Sequence, residues 1–236
     1  MPIPKVIHKI LITDNGQLPE LPKKFQNAID TWQEKNPEYT IKLYSGNDCV
    51  RYIAENYDKS IFEAYMKIKP YAFKCDFARQ LILYIQGGWY TDARMVCLQP
   101  LDLLYPNNKP ICTCIDRPQA YPCMYNGFIG VVPGHPVIQK MIDLIMWNVQ
   151  HKHHGIDCLQ PTGPGGFMNA CIDHFRFNEE GYMMGEHVIE DDEQYIKFGE
   201  IRMVKVKYTD LKGGDNSDIS GGNDYGEMWR NGDVYL

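Results

Sequence analysis

The densest chemistry of the 236-residue chain lies between Tyr71 and Arg94, in the stretch YAFKCDFARQLILYIQGGWYTDAR. It brings together two carboxylates, Asp76 and Asp92, and two guanidinium groups, Arg79 and Arg94. Carboxylates accept hydrogen bonds from hydroxyl groups or ligate a cation, and guanidinium groups pair with phosphate oxygens in bidentate fashion. Asp76 and Arg79 are three residues apart, which makes them neighbours on one side of a helix. A local ion pair and an aspartate in a turn would account for these residues singly; their chemistry depends on what holds them together.

The elements that must position them can be read from periodicity. At 100° per residue, Phe73, Phe77, Ala78, Leu81, Ile82, Tyr84 and Ile85 cover most of a helical circumference, which predicts a helix buried on most sides. Asp76, Arg79, Gln80, Leu83 and Gln86 occupy the remaining sector. Gly87-Gly88 ends the helix, the first glycine suiting a left-handed terminal position. Trp89, Tyr90 and Thr91 favour a strand. Asp92 then falls at its carboxyl end, where open α/β sheets bind their ligands.

The same pattern recurs along the chain. Lys5–Ile12 reads as a first strand, closed by Asp14-Asn15-Gly16. Pro22–Lys35 reads as a helix with Phe25, Ala28, Ile29 and Trp32 on one face. Tyr39, Ile41 and Leu43 alternate as a second strand, Asn47 or Asp48 is expected to cap the next helix, and another helix is expected over Ser60–Lys67. Later strands are expected at Met95–Leu98, Ile111–Ile115 and Asn126–Val132, then a helix over Val137–Val149. Thr162-Gly163-Pro164-Gly165-Gly166 is a loop leading into a helix, and the run from Gly181 to Tyr208 reads as short strands. Strand and helix alternate, which predicts an α/β architecture with a mostly parallel central sheet flanked by helices. One domain covers residues 1–236, with a mobile Gly/Asp-rich segment at about 211–236.

The order Asp-x-x-Arg, apolar helix, Gly-Gly, aromatic residue, Asp resembles the DxD-type glycosyltransferases of family 32, a family that includes yeast-type α-mannosyltransferases and capsular polysaccharide enzymes. Asp76, Arg79, Gly87, Gly88, Tyr90 and Asp92 match its core motif. PKVIHKI at the start, the segment opening at Asn126-Gly127, the Thr162-Gly163-Pro164 loop and NDYGEMW near the end resemble further parts of it in chain order. The resemblance covers roughly residues 3–170. It implies a GT-A nucleotide-sugar-binding fold and transfer of a hexose from a UDP- or GDP-hexose donor to a glycan or other hydroxyl acceptor, with retention of configuration, as in polysaccharide biosynthesis. On the donor side it implies His8, Asp76, Arg79, Gly88, Tyr90, Asp92 and Trp229; on the acceptor side, Asn126, Gly127, Thr162 and Gly163; in catalysis, Asp92 and Asp76, to which Arg94 is added as a fixed cation on its own chemistry. The family's second DxD acid is replaced, since the chain reads Asp92-Ala93-Arg94. A Mn²⁺ or Mg²⁺ ion would then have Asp92 and Asp224 as ligands, and a metal-independent reading has Arg94 in its place. The rivals are a catalytically silent carbohydrate- or nucleotide-sugar-binding relative and a different α/β enzyme; no P-loop is present, nor a G-x-G-x-x-G motif after an expected strand.

Composition narrows the classes. A hydrophobic content of 44% is that of a globular chain. The net charge of −6, without a basic block, argues against a nucleic-acid partner. The opening apolar run is interrupted by His8 and Lys9, so neither a signal peptide nor a transmembrane helix is expected, and the expectation is a soluble cytoplasmic chain. The eight cysteines form no C-x-x-C pair and are expected to be reduced, packed thiols. His151–Cys158, HKHHGIDC, is expected to be a surface loop rather than a metal site.

Overall fold

The computed structural model describes residues 2–107, 109–117, 120–177, 181–207 and 219–236. Its strands are β1 (Val6–Ile10), β2 (Thr40–Tyr44), β3 (Gly88–Thr91), β4 (Val96–Cys97), β5 (Ile111–Ile115), β6 (Met124–Val131), β7 (Tyr182–Glu190), β8 (Glu193–Phe198) and β9 (Ile201–Lys205). Its α-helices are α1 (Lys23–Lys35), α2 (Gly46–Asn56), α3 (Lys59–Lys67), α4 (Tyr71–Gln86), α5 (Pro136–Gln150), α6 (Pro164–Phe177) and α7 (Tyr225–Arg230). The expected elements are present with ends shifted by a few residues, apart from β7, which at nine residues is longer than the short strands expected over this part of the chain. Ser45 rather than Asn47 or Asp48 caps α2; Asp48 is its capping-box partner three residues on.

The strands form one sheet in the order β2-β1-β3-β6-β5-β7-β8-β9-β4. The sheet is mixed. Its parallel part at the amino-terminal end is β2-β1-β3, where Ile7 faces Ile41 on one side and Trp89 on the other. β5 and β7 are also parallel, and the remaining ladders are antiparallel. Successive side chains of a strand point to opposite faces, and both faces are covered. Ile10, Tyr90, Ile129 and Val131 join the apolar layer of α2–α6. Ile7, Trp89, Phe128, Ile196 and Val204 pack with Trp32 of α1.

The strand order requires curvature. Thr91 to Val96 is five Cα steps, a reach of at most about 18 Å. β3 and β4 are separated by six inter-strand spacings in the order above, about 28 Å in a flat sheet. The sheet therefore curls so that its far edge returns beneath α1. There Trp32 Nε1 donates to the Met95 carbonyl at 2.7 Å, and the Cys97 amide donates to Thr31 Oγ1 at 2.9 Å. The connection that crosses this seam is the turn carrying Asp92.

α4 departs from its sequence reading in one respect. The sector holding Asp76, Arg79, Gln80 and Leu83 is buried as well, whereas Ile85 is exposed. A helix covered by α5 on one side and by the sheet on another has little surface left for solvent; Asp76 and Arg79 find partners within the protein, whereas the Gln80 side-chain amide has none among the described residues. Gly87 has φ 61°, and a Cβ there would stand 2.6 Å from Pro133 Cδ, so the turn into β3 requires glycine.

The segment at 211–236, expected to be mobile, is described only in its second half. Residues 211–218 lie outside the described residues, but 219–236 are packed. Ile219 and Val234 are buried, the Lys69 amide donates to the Val234 carbonyl, and Tyr235 bridges Ile68. Gly- and Asp-rich composition suggested chain freedom; the apolar residues interspersed within it supply the anchors. Among the described residues no helix is long and apolar enough to cross a membrane.

Candidate functional site

Asp76 is the hub of a polar cluster at the junction of α4, β3, β6 and α6. Its Oδ1 pairs with Arg79 Nη2 at 2.9 Å and accepts from Asn126 Nδ2 at 3.0 Å. Its Oδ2 accepts from Thr162 Oγ1 at 2.9 Å. Thr162 and Gly163 reach it because they immediately precede α6; a Cβ on Gly163 would lie 3.5 Å from the same oxygen. Burial pushes the Asp76 carboxyl up to about 6, while Arg79, Thr162 and Asn126 pull the other way.

Arg79 is buried beside it and is held on several sides. Nη1 donates to the Asn126 carbonyl at 2.5 Å, and the guanidinium lies 4.2 Å from the centroid of the Tyr90 ring. Such a planar cation satisfies a carboxylate, a carbonyl and an aromatic face at once. Asp92 approaches the same group at 3.7 Å but is the open member of the set, with 41% of its side chain exposed. Gly127 makes room for it, since a Cβ there would stand 2.4 Å from Asp92 Oδ2. The arrangement is a buried Asp76–Arg79 pair forming a floor, with one carboxylate projecting from the carboxyl end of β3.

The residues expected from sequence divide accordingly. Asp76, Arg79, Asp92, Asn126, Gly127, Thr162 and Gly163 come together. Tyr90 lies beneath Arg79 as its aromatic support. Gly88 is lower in β3, where a Cβ would strike Val6. His8 is fully buried between the strands, not in the cluster. Its Nε2 must donate to the Gly87 carbonyl at 3.1 Å, which leaves Nδ1 to accept from Tyr44 Oη at 3.1 Å. Burial lowers its pKa to about 4, so the ring is neutral. Arg94 follows Asp92 on the same turn, partly exposed. Trp229 packs on the 151–158 loop, its Nε1 donating to the His154 carbonyl at 2.8 Å. Tyr225, on the same short helix, is close enough to feel the charges of Asp76 and Asp92; burial and Cys158, then these carboxylates, raise its pKa.

The metal ligands expected from sequence are not assembled among the described residues, where no three His, Cys, Asp or Glu side chains converge. Asp224 caps α7 instead, accepting from the Glu227 amide at 2.8 Å. The cysteines are free thiols, as their spacing suggested.

Lys9 was not singled out from the sequence. It is fully buried on the Trp32 side of β1, with Nζ donating to Thr91 Oγ1 at 2.7 Å and to the Asp92 carbonyl at 3.2 Å. Its ammonium lies 4.4 Å from the centroid of the Trp32 ring. Burial lowers its pKa to about 7. The available signal was the alternation itself: Lys9 shares the parity of Ile7, so a lysine falls where an inward apolar residue is expected.

Comparison with known proteins agrees with this geometry. Residues 22–110, which carry Asp76, Arg79 and Asp92, match the family described as a glycosyltransferase sugar-binding region containing DXD motif. The chain is 27% identical over 188 residues to the initiation-specific alpha-1,6-mannosyltransferase of Candida albicans, covering 65% of this chain and 48% of that protein. It is 36% identical over 137 residues to the uncharacterized glycosyltransferase L373 of Acanthamoeba polyphaga mimivirus, covering 57% and 52% respectively. The chain thus spans about half the length of these relatives. Among solved structures, the PaToxG glycosyltransferase superposes with a TM-score of 0.57 at 24% identity, covering 74% of this chain and 71% of that one. The UDP-bound glycosyltransferase domain of the YGT toxin superposes with a TM-score of 0.51 at 9% identity, covering 78% and 79%. These likenesses establish the GT-A fold.

Proposed function

We propose that this chain, whose residues 22–110 are a family-32-type glycosyltransferase sugar-binding region, transfers a hexose from a UDP- or GDP-hexose to a hydroxyl of a glycan or similar acceptor, with retention of configuration. The observation that carries the reading is the exposed Asp92 carboxylate at the carboxyl end of β3, set against the buried Asp76–Arg79 pair. In the reaction the bond from the sugar C1 to the diphosphate oxygen breaks. The acceptor oxygen bonds to C1 on the same face, and its proton passes to the departing diphosphate.

Each residue has a role that its environment supports. Asp92, open to the cleft, accepts from ribose or sugar hydroxyls. Asp76 and Arg79 bound the sugar pocket from below, where oriented charges act without reorganising. Asn126, Gly127, Thr162 and Gly163, which adjoin Asp76 and Asp92, lie toward the acceptor in this reading. Tyr225 and Trp229 cover the open side. Gly127 tests this arrangement directly: Gly127→Ala should push Asp92 from its position and lower turnover roughly 10- to 100-fold, the scale of a misplacement of about 1 Å. An alanine variant that turns over like the parent would remove Asp92 from the reacting geometry.

A divalent ion, when bound by enzymes of this kind, neutralises charge on the leaving diphosphate. Arg94, which stands where the resembled family has its second acid, is the candidate for that task, pairing with phosphate oxygens as a fixed cation. The same substitution supports a second reading, a catalytically silent nucleotide-sugar-binding relative. A thermal-shift panel of UDP-, GDP- and CMP-sugars with EDTA or with Mn²⁺, followed by turnover, separates them, because a ligand selective for the native state raises the melting temperature. Transfer that survives EDTA, and a metal requirement created by Arg94→Asp, are expected. Activity abolished by EDTA and restored by Mn²⁺ would refute the substitution by Arg94. Donor binding without turnover would establish the silent relative.

A further inference from the structure

Lys9 is a cation placed where the fold has no need of one. β1 lies in the middle of the β2-β1-β3 trio, and the surroundings of Lys9 on the Trp32 side are apolar: Ile7, Trp32, Met95 and Cys97 are all buried there. An ammonium loses its hydration in such a place; no carboxylate lies within ion-pair distance of it among the described residues, and of the carboxylate charges only that of the more distant Asp92 favours it. Its partners are a hydroxyl, a backbone carbonyl and an aromatic ring. An apolar side chain of similar volume would fill the same space without that desolvation.

What the ammonium touches gives it a purpose. Among the described residues, the backbone of the Asp92 turn is held at named points. The Asp92 amide donates to the Gly127 carbonyl at 2.9 Å, and the Met95 amide donates to the Asp92 carbonyl at 3.1 Å. Trp32 Nε1 fastens the Met95 carbonyl from below. Lys9 adds a second donor to the Asp92 carbonyl and ties it to Thr91, so the last residue of β3 and the first of the turn are held by one side chain on the adjacent strand. The Asp92 carboxylate projects on the opposite side of that peptide, toward Arg79.

We propose that Lys9 is a positioning residue for the transfer: it sets the course of the turn that presents Asp92, and its buried amine is kept at the expense of stability. The proposal rests on the transfer reading for its kinetic part only.

The test replaces the buried polar pair with apolar groups, Lys9→Met with Thr91→Val, so that no hydroxyl is stranded when the ammonium is removed. The melting temperature should be unchanged or raised by about 2 °C or more. kcat should fall by about 10-fold or more, with the donor KM changing far less. Hydrogen exchange at the Asp92 amide should quicken relative to the parent. A purely structural lysine makes the opposite prediction: a lowered melting temperature with kcat retained would overturn the proposal, as would unaltered exchange at Asp92. Lys9→Met alone serves as the control, losing stability to the unpartnered Thr91 hydroxyl. Should the parent transfer no hexose at all while exchange at Asp92 still quickens in the variant, the transfer reading fails and the positioning role stands.

Discussion

Asp92→Asn is expected to lower hexose transfer by on the order of 100-fold or more, the scale of losing one electrostatic partner in a transition state. The substitution keeps the shape of the side chain and the contact with Gly127, and removes only the charge. Asp92 is the member of the cluster that solvent reaches, with 41% of its side chain exposed. Its Oδ1 lies 3.7 Å from Arg79 Nη2, beyond a direct hydrogen bond. The folded state therefore depends less on its charge than on the buried Asp76–Arg79 contact at 2.9 Å. The informative result is the contrast: an unchanged unfolding midpoint together with a collapse of kcat. Near-parental turnover by the asparagine variant would sink the assignment of Asp92 to the reacting centre.

Arg79→Met should act in the reverse order, on the fold first. Arg79 is one of three donors to a carboxylate that is nearly inaccessible, and it also holds the Asn126 carbonyl and covers Tyr90. Removing it leaves Asp76 buried without a counter-charge, a loss of about 3–5 kcal/mol for a broken buried pair. Donor binding should fail with it, since the floor of the pocket is gone. Arg79→Lys should rescue little, because one ammonium cannot reach a carboxylate and a carbonyl from a planar fork. The pair itself is isolated by combining Arg79→Met with Asp76→Asn. If the ion pair is the cause, the double variant recovers part of the stability lost in the single one. Urea denaturation measures both, and a loss below about 1 kcal/mol in the single variant would contradict a buried pair.

Much of this site was legible before any coordinates. Asp76, Arg79 and Asp92 could be placed because helix periodicity, a glycine stop and a strand end are local signals, and each carries its residue to a definite face or end. Asn126, Thr162 and Gly163 could be placed only through the order of family motifs, since nothing local says that a residue 50 or 86 positions from Asp76 will touch it. Lys9 was lost for the same reason. Its inward parity was readable, but its partners, Thr91 and Asp92, lie over 80 residues away across a parallel ladder. For His8 the type alone left a base-facing and a structural role open, and only its environment distinguishes them: both ring nitrogens are engaged, by Tyr44 and Gly87. Burial of the polar sector of α4 escaped the helical wheel because a wheel counts polar residues as solvent-facing until their partners are known. The order of the sheet beyond β3 could not be read at all, because antiparallel and parallel neighbours have the same alternation.

That order has a consequence for how the molecule comes to exist. β4 follows β3 almost at once, yet it pairs with β9, so that Val96 is matched to Lys205 across more than a hundred residues. Loop-closure entropy must be lost before such a ladder returns any pairing energy, and chains rich in non-local pairings fold slowly for that reason. The turn between β3 and β4 is the short span that this closure draws tight. Until β5 to β9 are laid down and the far edge returns beneath α1, the chain after Thr91 has no fixed direction. α4 can form, and Asp76 can meet Arg79, in a chain that still lacks an oriented Asp92. The carboxylate at the centre of the proposed chemistry thus belongs to the late part of folding, and a partly folded chain would carry the floor of the site without its working edge.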